Sequence, residues 1–174
     1  MQTERAIKHL SASGELAKYR TVHFATHGVI AGELESASEP GLILTPPDKA
    51  TEDDDGYLSA SEIAALKLDA DWVILSACNT AAGAAAGAEA LSGLARAFFY
   101  ARARALLVSH WAVDSVATVK LITLSIREIA RNHRPIGRAE ALRRAMLAFL
   151  DNGSSQEAHP AYWAPFIVVG EGAT

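Results

Sequence analysis

Two stretches of the chain stand out by their strand-like pattern. Trp72-Val-Ile-Leu-Ser-Ala runs straight into Cys78-Asn-Thr80, and Thr21-Val-His-Phe-Ala-Thr runs into His27-Gly28. A short apolar run bounded by polar residues predicts a strand buried in a sheet, here over 72–77 and 21–26. Laid parallel in one sheet, the two strands would deliver His27 and Cys78 to its carboxyl edge, where open α/β sheets carry their sites.

The remaining pattern alternates helix and strand. Ile7, Leu10 and Leu16 among polar neighbours predict an amphipathic helix over 3–17, weakened near its end by Gly14. The stretch 31–58 is polar and rich in turn residues. Within it, Leu42–Leu44 and Gly56–Leu58 can form the arms of a hairpin, with the acidic run Glu52–Asp55 as a solvated tip. Ser59 or Ser61 can cap a short helix through Leu66, with Glu62 near its positive end. After Cys78, residues 79–87 are small and include Gly83 and Gly87, so this loop is expected to be mobile and able to approach a ligand closely. Leu91, Leu94, Ala95, Phe98 and Phe99 then recur at helical spacing over 88–102. Ala105–Ser109 predicts a strand, Asp114 or Ser115 can start a helix to Arg131, and 138–150 predicts another. An aromatic turn after His159 leads into a last strand over 165–169.

This alternation argues for an α/β fold with a mainly parallel sheet covered on both faces. There is no internal repeat. A length of 174 residues, half of them hydrophobic, fits one domain spanning 1–174. A sheet of only four strands, preceded by a helix, leads to the further expectation of amino-terminal strands beyond those seen here.

Charge and cysteine usage narrow the function. A net charge of −4 with no basic stripe gives no reason to expect nucleic acid as a partner. One cysteine permits no internal disulfide, so a cytosolic setting is the default. No stretch approaches the roughly 18 apolar residues of a membrane helix, and the amino terminus lacks signal-peptide order, so no membrane association is expected. No histidine pair has metal-ligand spacing together with Cys78, so neither a metal nor any other cofactor is expected.

A lone cysteine after a strand is ordinarily an inert core residue. Cys78 gains interest because His27 ends a second predicted strand and both are followed by turn formers. A neighbouring imidazole lowers the pKa of a thiol and can hand the proton to a leaving amine. Cys78 follows His27 by 51 positions, close to the roughly 50 that separate the histidine and cysteine of caspases. In that arrangement the backbone amides of Gly28 and Cys78 could donate to a developing oxyanion. His23, four residues before His27 in the same predicted strand, reads as a packing residue rather than a second base. His110 and Trp111 end a strand and are equally compatible with a substrate cleft or with core. His9, His133 and His159 read as surface or turn residues.

Five motifs in order strengthen the case: His23-Phe-Ala-Thr-His27-Gly28, Leu75-Ser-Ala-Cys78-Asn-Thr80, Gly93-Leu-Ala-Arg-Ala-Phe98, Val108-Ser-His-Trp111-Ala-Val-Asp114 and His159-Pro-Ala-Tyr-Trp-Ala-Pro-Phe166. Together they resemble the CHAT family, caspase-like domains often found after tetratricopeptide repeats. The resemblance implies a caspase/separase-type three-layer α/β sandwich and a Cys/His dyad, carried here onto Cys78 and His27. It also implies cleavage of protein or peptide substrates under control of a fused tetratricopeptide-repeat region or a bound regulatory protein. Family domains normally carry further amino-terminal strands, so the chain resembles the carboxyl-terminal part of one. It also departs from the family at Arg102, where glycine is common in the turn before the strand.

By the same resemblance, the substrate pocket draws on Ser109, His110, Trp111 and Asp114. Asp114, helped by acids of 52–55, could attract Lys or Arg, as separases prefer. It could equally be no more than a helix cap. Two alternatives to a cysteine endopeptidase stay open: a catalytically inactive interaction module in a signalling complex, and a small-molecule thiol hydrolase, for which no closed apolar pocket is marked.

Overall fold

The computed structural model describes residues 3–29, 31–32, 37–51, 53–76, 87–111, 114–131 and 136–173. Cys78 and the loop 79–86 lie outside the described residues. So does the expectation that this loop is mobile.

Helix α1, Glu4–Ala12, starts on Thr3, whose side chain accepts from the Ala6 amide at 3.2 Å. It ends earlier than the helical periodicity suggests, because Gly14 turns into the left-handed region at φ 76. A single 3-10 turn at Leu16–Lys18 then leads into strand β1, Thr21–Phe24. Strand β5, Trp72–Leu75, is buried along its whole length, as is β6, Ala105–Ser109. With β7, Phe166–Gly170, these four make one sheet in the order β1-β5-β6-β7. The first three are parallel and β7 is antiparallel to β6.

Side-chain alternation divides the core in two. Val73, Leu75, Leu106 and Val108 face one layer, formed by α1 together with α2, Ala60–Ala65, and α3, Gly87–Tyr100. There the Phe24 and Phe98 rings meet with centroids 5.5 Å apart. Trp72, Ile74, Ala105 and Leu107 face the other layer, α4 at Ser115–Arg131 and α5 at Arg138–Asn152. Helices thus cover both faces of a mostly parallel sheet, the three-layer arrangement expected from the sequence.

A second, antiparallel sheet joins β2, His27–Val29, to β3, Gly41–Ile43, and β4, Tyr57–Ser59. The β3/β4 pair is the expected hairpin, but its third strand corrects the reading of 21–26 as one strand. The chain leaves the main sheet after Phe24, and His27 opens a strand of the other sheet, pairing with Ile43. Gly41 is required at its position: a Cβ there would lie 2.6 Å from the Tyr57 ring and 2.7 Å from the Leu58 carbonyl oxygen.

The acidic run is more than a solvated tip. Glu4, only 1% exposed, accepts through Oε2 from the amides of Asp55 and Gly56, both at 2.9 Å. Ser59 is the cap of α2, and Ser59 and Glu62 form a reciprocal capping box. Among the described residues no helix is long and apolar enough to cross a membrane.

Candidate active site

Strands β1 and β5 are neighbours in parallel register, Phe24 opposite Leu75, so both release the chain at the same sheet edge. The ladder continues one residue further, with the Ser76 amide donating to the Phe24 carbonyl at 3.2 Å. From this edge one chain passes to His27 and the other to Cys78. Ala25 and Thr26 make the crossing between the two sheets, and the Thr26 hydroxyl pins it by donating to the Ile43 carbonyl.

His27 is exposed, and among the described residues no side chain hydrogen-bonds its imidazole. It lines a cavity of about 260 Å³ with Ala25, Thr26, Ser76, Ser115, Thr118 and Val119. The start of α4 therefore forms one wall and the outlet of β5 another. Ala25 and Thr26 also line a larger cavity, about 590 Å³, beside β1, with Ile7, Leu10, Leu16, Phe24 and Leu44 on its apolar side.

The residues after β6 are spread around this edge. Ser109 is fully buried. It offers no surface to a substrate, which corrects its assignment to the substrate pocket, because β6 is a central strand covered on both faces. His110 is half-buried, and its amide donates to the Pro165 carbonyl at 2.9 Å. Trp111 is 44% exposed. Asp114 caps α4: its Oδ1 accepts from the Ala117 amide at 2.8 Å, and its carbonyl accepts from the Thr118 hydroxyl at 2.7 Å. Asp114 directly precedes Ser115, which lines the His27 cavity, but is not itself among the residues that line it. None of Asp53–Asp55 lines that cavity. Gly28 is half-buried in β2, opposite Leu42. The cysteine sulfur, its amide and the Cys78–His27 separation lie outside the described residues.

His23 corrects a second expectation. It is not packed in the core: its side chain is exposed, and Nε2 stands 2.7 Å from the Ser76 hydroxyl. Although the residue is exposed, partial desolvation of the ring disfavours its charged form and holds its pKa below the ordinary histidine value. Ser76 and Thr118, which share the cavity with His27, escaped the sequence reading because a serine at a strand end and a threonine inside a helix carry no chemical signature of their own. Among the described residues no group of three His, Cys, Asp or Glu side chains could hold a metal ion.

A mostly parallel sheet between two helical layers, with a histidine and the path to a cysteine leaving neighbouring strands, defines an α/β domain of caspase-like architecture. The family model of the CHAT domain matches residues 2–171, nearly all of the 174-residue chain, and the chain belongs to that caspase-like, peptidase-related family. No curated protein matches the chain.

Proposed function

We propose that the chain is a cysteine endopeptidase domain acting through Cys78 and His27. The observation that carries this reading is that His27 and Ser76, two residues before Cys78, line one cavity at the carboxyl edge of the sheet. A two-residue tether spans at most about 7 Å, so the place of Ser76 bounds the reach of the thiol.

In this reading His27 takes the proton of the Cys78 thiol and the thiolate attacks the scissile carbonyl carbon. The Gly28 and Cys78 amides receive the developing oxyanion. The C–N bond breaks, His27 gives its proton to the leaving amine, and a thioester remains. Water then attacks that thioester, losing its proton to His27, and the thiol returns as the acid product leaves. Thiol, imidazole and water complete the reaction without a cofactor. Trp111 and His110 border the substrate, and Asp114 draws basic side chains. Substrates are proteins or peptides, with activity governed by a fused tetratricopeptide-repeat region or a regulatory protein in the cytosol. Membrane and nucleic acid play no part.

A second reading, an interaction module without catalysis, is favoured by the exposed apolar side chains of Val116 at 76% and Val119 at 65% beside the cavity. Peptidase assays with and without a candidate regulatory protein separate the two. Cleavage that vanishes in Cys78→Ala and in His27→Ala supports the enzyme; cleavage surviving Cys78→Ala rules it out.

A further inference from the structure

His23 sits on β1 and Ser76 at the outlet of β5, 53 positions apart in sequence, yet their side chains meet at 2.7 Å. That is a short, strong separation for a nitrogen and a hydroxyl. The same Ser76 hydroxyl reaches the Phe24 carbonyl at 3.5 Å, and the Ser76 amide binds that carbonyl at 3.2 Å. The two side chains share one hydrogen bond, with Ser76 as its acceptor when the hydroxyl hydrogen turns to Phe24 and as its donor when the neutral ring carries its hydrogen on Nδ1. The residue is thereby held from its backbone and its side chain at once. The donor role of Nε2 is available to the neutral ring and to the imidazolium alike.

Ser76 lines the His27 cavity, whereas His23 lines only the larger cavity beside β1. His23 therefore reaches the site through Ser76 and not directly. We propose that His23 is a positioning residue that, through Ser76, fixes the point from which the two-residue tether to Cys78 leaves the sheet, and so the approach of the thiol to His27. This rests on the reading of Cys78 and His27 as a dyad. Serine alone, free to rotate, would leave the outlet of β5 with one hydrogen bond fewer. A displacement of about 1 Å in a reacting group can cost on the order of a hundredfold in rate.

The chain has a single cysteine, so alkylation by iodoacetamide reports Cys78 alone. The 174-residue chain and its variants are alkylated across pH 5–9, with thermal melts confirming that each is folded. His27→Ala slows alkylation near neutral pH if the dyad exists. His23→Phe and Ser76→Ala are each expected to slow it about three- to tenfold, as the thiol loses its imidazole partner. The double variant is no slower than either single one, because the two residues act as one unit. His23→Gln, whose amide can still donate to Ser76, recovers the wild-type rate within about twofold. Ser76→Ala removes one oxygen only and answers the question even where His23→Phe fails to fold. Wild-type rates in Ser76→Ala alongside a slow His27→Ala overturn the positioning role and leave the dyad standing. A wild-type rate in His27→Ala overturns both.

Discussion

The Lys8 ammonium lies 2.6 Å from the Glu62 carboxylate, joining the first helix of the chain to the helix that follows the hairpin. Lys8 also meets Glu4 at 2.5 Å and the Asp53 carbonyl at 2.9 Å. Burial alone would lower the Lys8 pKa, but its two carboxylate partners outweigh that and raise it. Burial likewise pushes Glu62 up, and the bonds from Lys8 and Ser59 reverse the effect and hold it below the ordinary glutamate range. A raised lysine contributes stability that is lost as pH climbs through its folded pKa. A depressed glutamate contributes stability that is lost as pH falls through its own. The ion pair therefore supports the fold between those limits.

Glu62→Gln keeps an acceptor for the capping box and removes the charge. It should cost about 1 kcal/mol at neutral pH, an amount that shrinks toward zero as pH falls below the ordinary glutamate value of 4.5. Urea denaturation of wild type and variant at pH 3 and pH 7 measures the difference; a pH-independent gap would remove Lys8 from the account.

Glu4→Ala is the harsher change at the same junction. It strands the amides of Asp55 and Gly56 and leaves the Lys8 ammonium short of a partner. The expected loss is about 3 kcal/mol by chemical denaturation, with Glu4→Gln recovering part of it through its carbonyl oxygen. A loss under about 0.5 kcal/mol would mean that water replaces the carboxylate at that site.

Arg102 sits at φ 69 in the turn before β6, a conformation that penalises a side chain and suits glycine. Arg102→Gly should therefore stabilise the chain by about 0.5–1 kcal/mol, the relief of backbone strain exceeding the entropy that glycine adds to the unfolded state. A higher denaturation midpoint checks it. A lower one would show that the arginine side chain contributes more than its backbone costs.

Asp114 separates charge from capping by choice of substitution. Asp114→Asn keeps an oxygen for the Ala117 amide and removes the charge, whereas Asp114→Ala also gives up a cap worth about 1 kcal/mol. With fluorogenic peptides, Asp114→Asn is expected to reduce the preference for Arg or Lys over neutral residues about tenfold, equivalent to about 1.4 kcal/mol. An unchanged preference would leave Asp114 as a cap and nothing more.

For the dyad itself, His27→Ala should lower kcat/KM by about 10²–10⁴, the range for loss of an acid–base group. Gly28 provides a separate check, since Gly28→Pro removes the amide proposed to receive the oxyanion. If that variant folds and keeps wild-type kcat, another donor serves the oxyanion.

Much of this is legible in the sequence. The apolar runs of β5 and β6 announced strands covered on both faces, and Ser59 with Glu62 announced a capped helix. The order of the five motifs pointed to the family. What misled was the stretch 21–26. Its apolar pattern runs on past Phe24, and a periodicity of two carries no information about which sheet a strand joins. The bond from Thr26 to the Ile43 carbonyl transfers the chain to the second sheet, so His27 is placed by the hairpin rather than by the strand before it. The same limit hid the partner of His23 and the burial of Ser109.

The sequence by itself determined most of the elements and their alternation, because apolar content, capping and turn chemistry act over a few neighbouring positions. Only the tertiary structure decided the contacts between positions far apart: Glu4 under Gly56, Lys8 against Glu62, His23 on Ser76, and His27 facing the same cavity as the outlet of β5. Those partners are 52, 54 and 53 positions apart in the three hydrogen-bonded pairs. Such pairings arise when packing of the two core layers sets strands and helices side by side, a global outcome that no local pattern of residues records.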